Sequence, residues 1–383
     1  MSITTPAGFR AAGVTAGLKP SGRPDLAVVV NDGPDHHGAA VFTSNRVEAA
    51  PVTWSRQVLT DGRVDLVVLN SGGANACTGA AGFADTHRTA EYLGAAAGVS
   101  PGDVVVASTG LIGELLPMDK ITAGIDAALG ELSATGGQAA ATAIMTTDTV
   151  DKQALATGHG WSVGGMAKGA GMLAPALATM LVVITTDAVA EPSGLDAALR
   201  GAAATTFDRI DSDGCMSTND MVLLMSSGAS GVTPSAADLS AAVTSVCADL
   251  ARQLIADAEG AQHDIEIEVA SAASVGDALE VARAIARNNL FKCAVFGGDP
   301  NWGRVLAAVG TTKAAFEPAT LDVSLNGIQV CRAGGVGQDR TLVDMGARLL
   351  HVRVDLHAGA EKATIWTNDL THDYVHENSA YST

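Results

Sequence analysis

Apolar residues fall in short runs rich in Val and Ile, separated by longer Ala-rich stretches. Residues 64–69 (VDLVVL), 104–107 (VVVA) and 180–184 (MLVVI) show no polar alternation, which predicts strands buried on both faces. Residues 83–97, 118–132, 194–207 and 235–258 carry helical spacing. The last is the clearest, with Pro234 and Ser235 as start signals and Gly260 as a stop. Buried sheets covered by helices predict an α/β layered fold. The second half has a different pattern. Residues 265–270 (IEIEVA) alternate strictly, so one face meets water, and Asn326-Gly327 inside 321–330 is a strong hairpin signal. Residues 351–356 and 362–366 are expected to pair antiparallel. The sheets are therefore expected to be mixed and antiparallel. No repeat or low-complexity tract appears, and the Gly-rich segment 164–175 is the nearest thing to a boundary.

A length of 383 residues exceeds the usual size of one core and predicts two domains or two halves of one layered fold. Aromatic residues make up only 4% of the chain, so Ala, Val, Leu and Ile must build the core. A net charge of −18 argues against partners that need a basic surface, namely nucleic acid and anionic membranes. No run of 18 apolar residues occurs, and MSITTPAGFR lacks the apolar stretch of a secretory signal. The five cysteines are widely spaced and never form a CxxC pair, which predicts reduced thiols and a cytoplasmic protein. Neither a P-loop nor a GxGxxG opening a helix is present. His372 and His376 have i,i+4 spacing but not HExxH, in a stretch without clear helical pattern, so no metal is expected. Asp211, Asp213 and Asp220 have the composition of a cation loop but not EF-hand spacing, and a structural role is expected.

The informative segment is 164–188, GGMAKGAGMLAPALATMLVVITTDA. Glycines and Pro175 lead into Ala178-Thr179, and the buried strand follows at once. A strand that starts at a threonine is ordinary. The chemistry available there is not. If the peptide is strained, the Thr179 hydroxyl can attack the Ala178 carbonyl, and hydrolysis of the ester frees an α-amine on Thr179. Such an amine, with an ordinary pKa of about 7.7–8.0, can serve as base for its own hydroxyl.

Residues 168–181 (KGAGMLAPALATML) resemble the self-cleavage signature of the ornithine acetyltransferase family, the glutamate N-acetyltransferases of arginine biosynthesis. Further matches run in the family's order: 70–79 (NSGGANACTG), 108–113 (STGLIG), 143–149 (AIMTTDT), 211–220 (DSDGCMSTND), 257–261 (DAEGA), 298–305 (GDPNWGRV) and 378–383 (NSAYST). The resemblance implies a layered fold of the amino-terminal-nucleophile type, cut into an α chain 1–178 and a β chain 179–383. It implies Thr179 as nucleophile and Thr109 with Gly110 as the oxyanion hole. Thr147, Lys168, Thr179, Glu259, Asn378 and Thr383 would bind substrate, with Thr146 and Thr149 left open as neighbours of Thr147. On the residues alone, Ser108-Thr109-Gly110 is an ordinary turn, Lys168 and Glu259 are surface charges, and the last six residues are a frayed end.

By the same resemblance, acetyl passes from N-acetylornithine to glutamate by double displacement through acetyl-Thr179, without a metal or organic cofactor. Whether acetyl-CoA also donates is left open by the sequence, and two α and two β chains are expected to assemble. Gly73 departs from the family, where a second asparagine is usual, as does Phe296-Gly297 before GDPNWGR. Asp299–Arg304 is expected to form a structural turn with Trp302 buried. Two rivals remain at this level: a self-processing amidase or aminopeptidase with the same nucleophile, and a non-catalytic acidic binding protein.

Overall fold

The computed structural model describes residues 2–174 and 180–380. Ala178, Thr179 and Thr383 lie outside them. The chain divides into two compact units, residues 2–208 with 215–257, and residues 209–214 with 258–380. The dividing line does not fall in the Gly-rich segment.

The first unit contains β1 (Phe9–Val14), β2 (Leu26–Asn31), β3 (His37–Phe42), α1 (Ala50–Val58), β4 (Leu66–Asn70), α2 (Gly79–Ala97), β5 (Val104–Ser108), α3 (Met118–Glu131) and α4 (Gly137–Ala143). It continues with β6 (Lys152–Thr157), β7 (Ser162–Lys168), β8 (Leu181–Thr186), α5 (Pro192–Thr205), β9 (Met221–Ser226) and α6 (Ala236–Ala256). Two sheets form, in the orders β1-β2-β4-β5 and β3-β9-β8-β7-β6. The β4–β5 and β8–β9 pairs are parallel and the others antiparallel. Every residue of β2, β4, β5, β8 and β9 is buried, and for β4, β5 and β8 this is what their unbroken apolar runs predict.

The sheets face each other across one core. Val29, Val67, Leu69 and Val105 of the first meet Met166, Leu181, Val183 and Leu223 of the second. The alternate residues Val28, Leu66, Val68 and Val106 turn to the opposite face and meet Leu93, Ile121 and Ile125 of α2 and α3. On the far side, α5 packs on β3, and α6 packs on β6, β7 and α5. Helices therefore cover both outer faces of a two-sheet sandwich, the expected α/β layered fold with mixed sheets. The α6 helix is long and apolar enough to cross a membrane by length and composition. Here its apolar stripe, Leu239, Val243, Val246, Leu250 and Leu254, is buried in this unit. Its first turn is capped by the Ser235 side chain, which accepts from the Asp238 N–H.

Gly164 and Gly165 do not mark a linker. They lie inside β7, between β6 and β8. A Cβ on Gly165 would sit 2.7 Å from Val246 Cγ1, and one on Gly164 would sit 2.4 Å from the Ser2 carbonyl oxygen. Close approach of α6 and of the N-terminal segment is what requires glycine here.

The second unit contains β10 (Asp264–Ala272), α7 (Val275–Ala286), α8 (Asn289–Phe296), α9 (Trp302–Val309), β11 (Asp322–Leu325), β12 (Ile328–Arg332), β13 (Gly335–Val336), β14 (Leu349–Asp355), β15 (Glu361–Asn368) and α10 (His372–Ala380). Its sheet order is β13-β12-β11-β14-β10-β15. The β11–β12 hairpin turns at Asn326 (φ 45°) and Gly327 (φ 82°), as the sequence predicts. The expected β14–β15 pair does not form. Instead β10 lies between them, parallel to β14 and antiparallel to β15. Ile265, Ile267 and Val269 face the core with Val352, Val354 and Ile365, so burying that stripe decides the order. The 299–304 segment is a helix start more than a turn. The Asn301 side chain caps α9, and Trp302 is only partly buried. His372 and His376 lie on a helix after all.

Candidate active site

Strand β5 delivers Thr109 and Gly110 at its C-terminal end. Thr109 is buried and fixed on both sides of its backbone: its N–H donates to the Asn70 carbonyl at 2.9 Å, and its carbonyl accepts from Gly73 N–H at 3.0 Å. Gly110 has φ +131°, and a Cβ there would stand 2.7 Å from the Gly73 nitrogen. Only glycine fits both constraints. Gly73, one of the two departures from the family pattern, thus lies against this turn. Among the described residues the Gly110 N–H has no acceptor.

Lys168, the last residue of β7, is 1% exposed, and its Nζ stands 3.3 Å from Thr109 Oγ1. An ammonium can only donate, so the Thr109 hydroxyl keeps its own hydrogen for another acceptor. Paired with the N–H of Gly110, this gives two donors at one strand end, the chemistry an oxyanion hole requires.

Asp148 organises the lysine side. Its Oδ1 accepts from Lys152 Nζ at 2.7 Å and from the Gly169 N–H at 2.6 Å, and its Oδ2 accepts from the Thr146 N–H at 2.9 Å. Burial pushes its carboxyl up, but Lys168, Lys152 and the Gly169 N–H outweigh that and hold it at about 2. Lys152, fully buried, also meets Asp257 at 2.6 Å. Thr149 is taken by Asp257 through both its N–H and its hydroxyl. Thr146 bonds Asp148, whereas Thr147, half-buried between them, makes no such bond among the described residues. Of the three threonines, Thr147 has the side chain left for a ligand. Lys19 approaches the same group, donating to the Pro24 and Met145 carbonyls at 2.9 and 2.6 Å. Burial, opposed by Asp25 and reinforced by Lys168, lowers its pKa to about 8.

In the second unit, Glu259 is half-buried in a turn, not at the end of α6, which stops at Ala256. Its Oε2 accepts from Asn378 Nδ2 at 2.9 Å, so these two expected residues meet, although Asn378 is exposed on α10. Glu259 lines a cavity of about 70 Å³ with Asp213, Lys292, Asp369 and Tyr374. Lys292 is buried, which lowers its pKa against the pull of Asp213, Asp211 and Asp369.

Sequence reasoning missed Lys292, the Asp148–Lys152–Asp257 cluster and Asn219. The Asn219 Nδ2 donates to the Ser108 carbonyl at 2.8 Å and the Ala74 carbonyl at 2.6 Å, tying the end of β5 to the 70–79 loop. The signal available for Asn219 was its place in the 211–220 motif. Asp211 pairs with Arg287 at 2.8 Å, and no metal-ligand cluster occurs among the described residues. None of the five cysteines is in a disulfide.

A two-sheet sandwich with helices on both faces presents two donors beside a buried lysine at a strand end, an arrangement suited to acyl transfer. The chain belongs to the ArgJ family, whose model matches residues 10–383. With that family it is a glutamate N-acetyltransferase of arginine biosynthesis. Arginine biosynthesis bifunctional protein ArgJ of Streptomyces coelicolor is 65% identical over 382 residues, covering 100% of both chains. The protein of that name from Thermobifida fusca is 64% identical, again covering 100% of both. A crystal structure of ornithine acetyltransferase complexed with ornithine, from Mycobacterium tuberculosis, is 57% identical, with a TM-score of 0.45 over 47% of this chain and 96% of that one. Family membership removes the non-catalytic reading and leaves the amidase reading without support.

Proposed function

We propose that this enzyme cuts itself between Ala178 and Thr179 and then moves acetyl from N-acetylornithine to glutamate through acetyl-Thr179. The observation that carries the reading is the Lys168–Thr109–Gly110 arrangement at the end of β5. Thr179 attacks the acetyl carbonyl, and its freed α-amine takes the hydroxyl proton. The carbonyl oxygen gains negative charge, which the Thr109 hydroxyl and Gly110 N–H stabilise. Collapse expels ornithine, whose nitrogen takes that proton back from the α-amine. The glutamate amine then attacks acetyl-Thr179, its proton passing through the α-amine to the Thr179 oxygen, to give N-acetylglutamate and restore the threonine. Lys168 and Thr147 bind the α-carboxylate region that the two amino acids share. Glu259, held by Asn378, attracts the cationic ornithine side chain.

Antiparallel pairing of β7 with β8, Lys168 opposite Leu181, supports continued association of the two chains once cut. Acetyl-CoA as a second donor, assembly of two α with two β chains, and a cytoplasmic location complete the reading. Intact-mass measurement of purified protein is expected to give fragments 1–178 and 179–383. Varying both substrates is expected to give parallel double-reciprocal lines. A full-length chain with full transferase activity contradicts self-cleavage, and intersecting lines contradict the covalent route.

A further inference from the structure

The chemistry above makes no use of Asp220, yet this carboxyl is wholly shielded from solvent. It sits immediately before β9, and its backbone carbonyl accepts from the Thr43 N–H at 3.0 Å. Its Oδ1 accepts from the Met180 N–H at 3.0 Å. Met180 is gripped on its other side as well, its carbonyl accepting from the Met221 N–H at 3.2 Å. The nitrogen that Asp220 holds is bonded to the carbonyl carbon of Thr179. The Oδ2 atom of Asp220 has no hydrogen-bond donor among the described residues. Burial raises this carboxyl well above the usual range, against the Met180 N–H, Lys168 and Ser217, which favour its charged form. A buried carboxyl with one oxygen unsatisfied is an expensive way to fill space, and an apolar residue of the same shape would serve packing as well or better.

We propose that Asp220 is a positioning residue for Thr179: by holding the Met180 amide it fixes the backbone that aims the nucleophile, in self-cleavage and in acetyl transfer alike. The inference rests on the reading of Thr179 as nucleophile. Small errors of aim are costly because the attacking oxygen must approach within a narrow geometry.

Two variants of the full chain test this, each checked for folding by its melting transition. Asp220→Leu keeps the size and removes the acceptor, whereas Asp220→Asn keeps an acceptor oxygen and removes the charge. The readouts are the half-time of self-cleavage, single-turnover acetylation of the 179–383 fragment, and KM for N-acetylornithine. Asp220→Leu is expected to slow both reactions by about tenfold or more while KM stays within about threefold, and Asp220→Asn to stay within about threefold of the wild type throughout. A folded Asp220→Leu enzyme with normal rates overturns the inference. So does a folded Asp220→Asn enzyme slowed about tenfold, a comparison that decides even if Asp220→Leu does not fold. Failure of the wild-type control to acetylate Thr179 sinks the nucleophile reading instead, so the two failures are separable.

Discussion

Lys168 Nζ and Thr109 Oγ1 stand 3.3 Å apart, both buried, at the ends of strands from the two different sheets of the sandwich. The direction of that hydrogen bond is forced, because lysine has no acceptor. Thr109 is therefore oriented as a donor before any substrate arrives. Preset orientation is what makes such a donor effective, since no reorganisation is needed as charge develops.

Thr109→Ala is accordingly expected to lower kcat by roughly 10²–10³, the loss typical of one such donor, with KM little changed. Thr109→Ser keeps the hydroxyl and should retain most of the activity. Steady-state kinetics on the two variants checks this. Equal losses in both would point to packing by the γ-methyl in place of hydrogen bonding.

Gly110→Ala places a Cβ 2.7 Å from the Gly73 nitrogen at φ +131°, so it should be less stable and nearly inactive. Among the described residues, a Cβ at Gly73 would meet only the Leu116 Cδ2 at 2.9 Å, the end of a side chain that can move. Gly73→Ala should therefore stay within about 1 kcal/mol of the wild type. Thermal unfolding of the pair separates the two positions.

Asp148 links stability to pH. Its carboxyl is held at about 2 in the folded protein, below the ordinary aspartate value of about 3.9. A depressed acid contributes stability that is complete above the unfolded pKa and is lost as pH falls through the folded one. Compared with Asp148→Asn, the wild type should show a constant advantage above about pH 5 that shrinks by about 2 kcal/mol between about pH 4 and 2. Urea unfolding across that range measures it, and an advantage unchanged at low pH would refute the ionised carboxyl.

Much of the fold was legible because its signals are local. The unbroken apolar runs of β4, β5 and β8 can satisfy their burial only inside covered sheets, and Asn326-Gly327 supplies the dihedrals its hairpin needs. Strand partners are a different matter. Nothing in residues 351–366 announces that β10, whose Asp264 pairs with Leu349, will insert between β14 and β15. The Gly164-Gly165 pair misled for the same reason, since the neighbours that require glycine come from α6 and the N-terminal segment. In the candidate site, motif residues such as Thr109 and Lys168 stood out, whereas Lys152 and Asn219 act through partners far along the chain. Asn219 illustrates the point: its value lies in two carbonyls more than 100 residues away.

Asn219→Ala should therefore be destabilised by roughly 1–3 kcal/mol or more, because two buried carbonyls lose their donor. Turnover should fall as well, since the Ser108 carbonyl immediately precedes Thr109. Loss of stability with unchanged turnover of the folded fraction would separate the Asn219 clamp from the oxyanion hole.

The central claim is that Thr179 carries the acetyl group. The most direct measurement supplies the cut artificially, co-expressing residues 1–178 with a second chain that begins at position 179 as threonine, serine or alanine. Each complex is incubated with N-acetylornithine and no glutamate, and the second chain is weighed by mass spectrometry before glutamate is added. The threonine chain should gain one acetyl group and pass it to glutamate. Serine should do so more slowly, having lost the γ-methyl that restricts its rotamer, and alanine should do neither. An alanine complex that transfers acetyl at a normal rate would contradict the account outright.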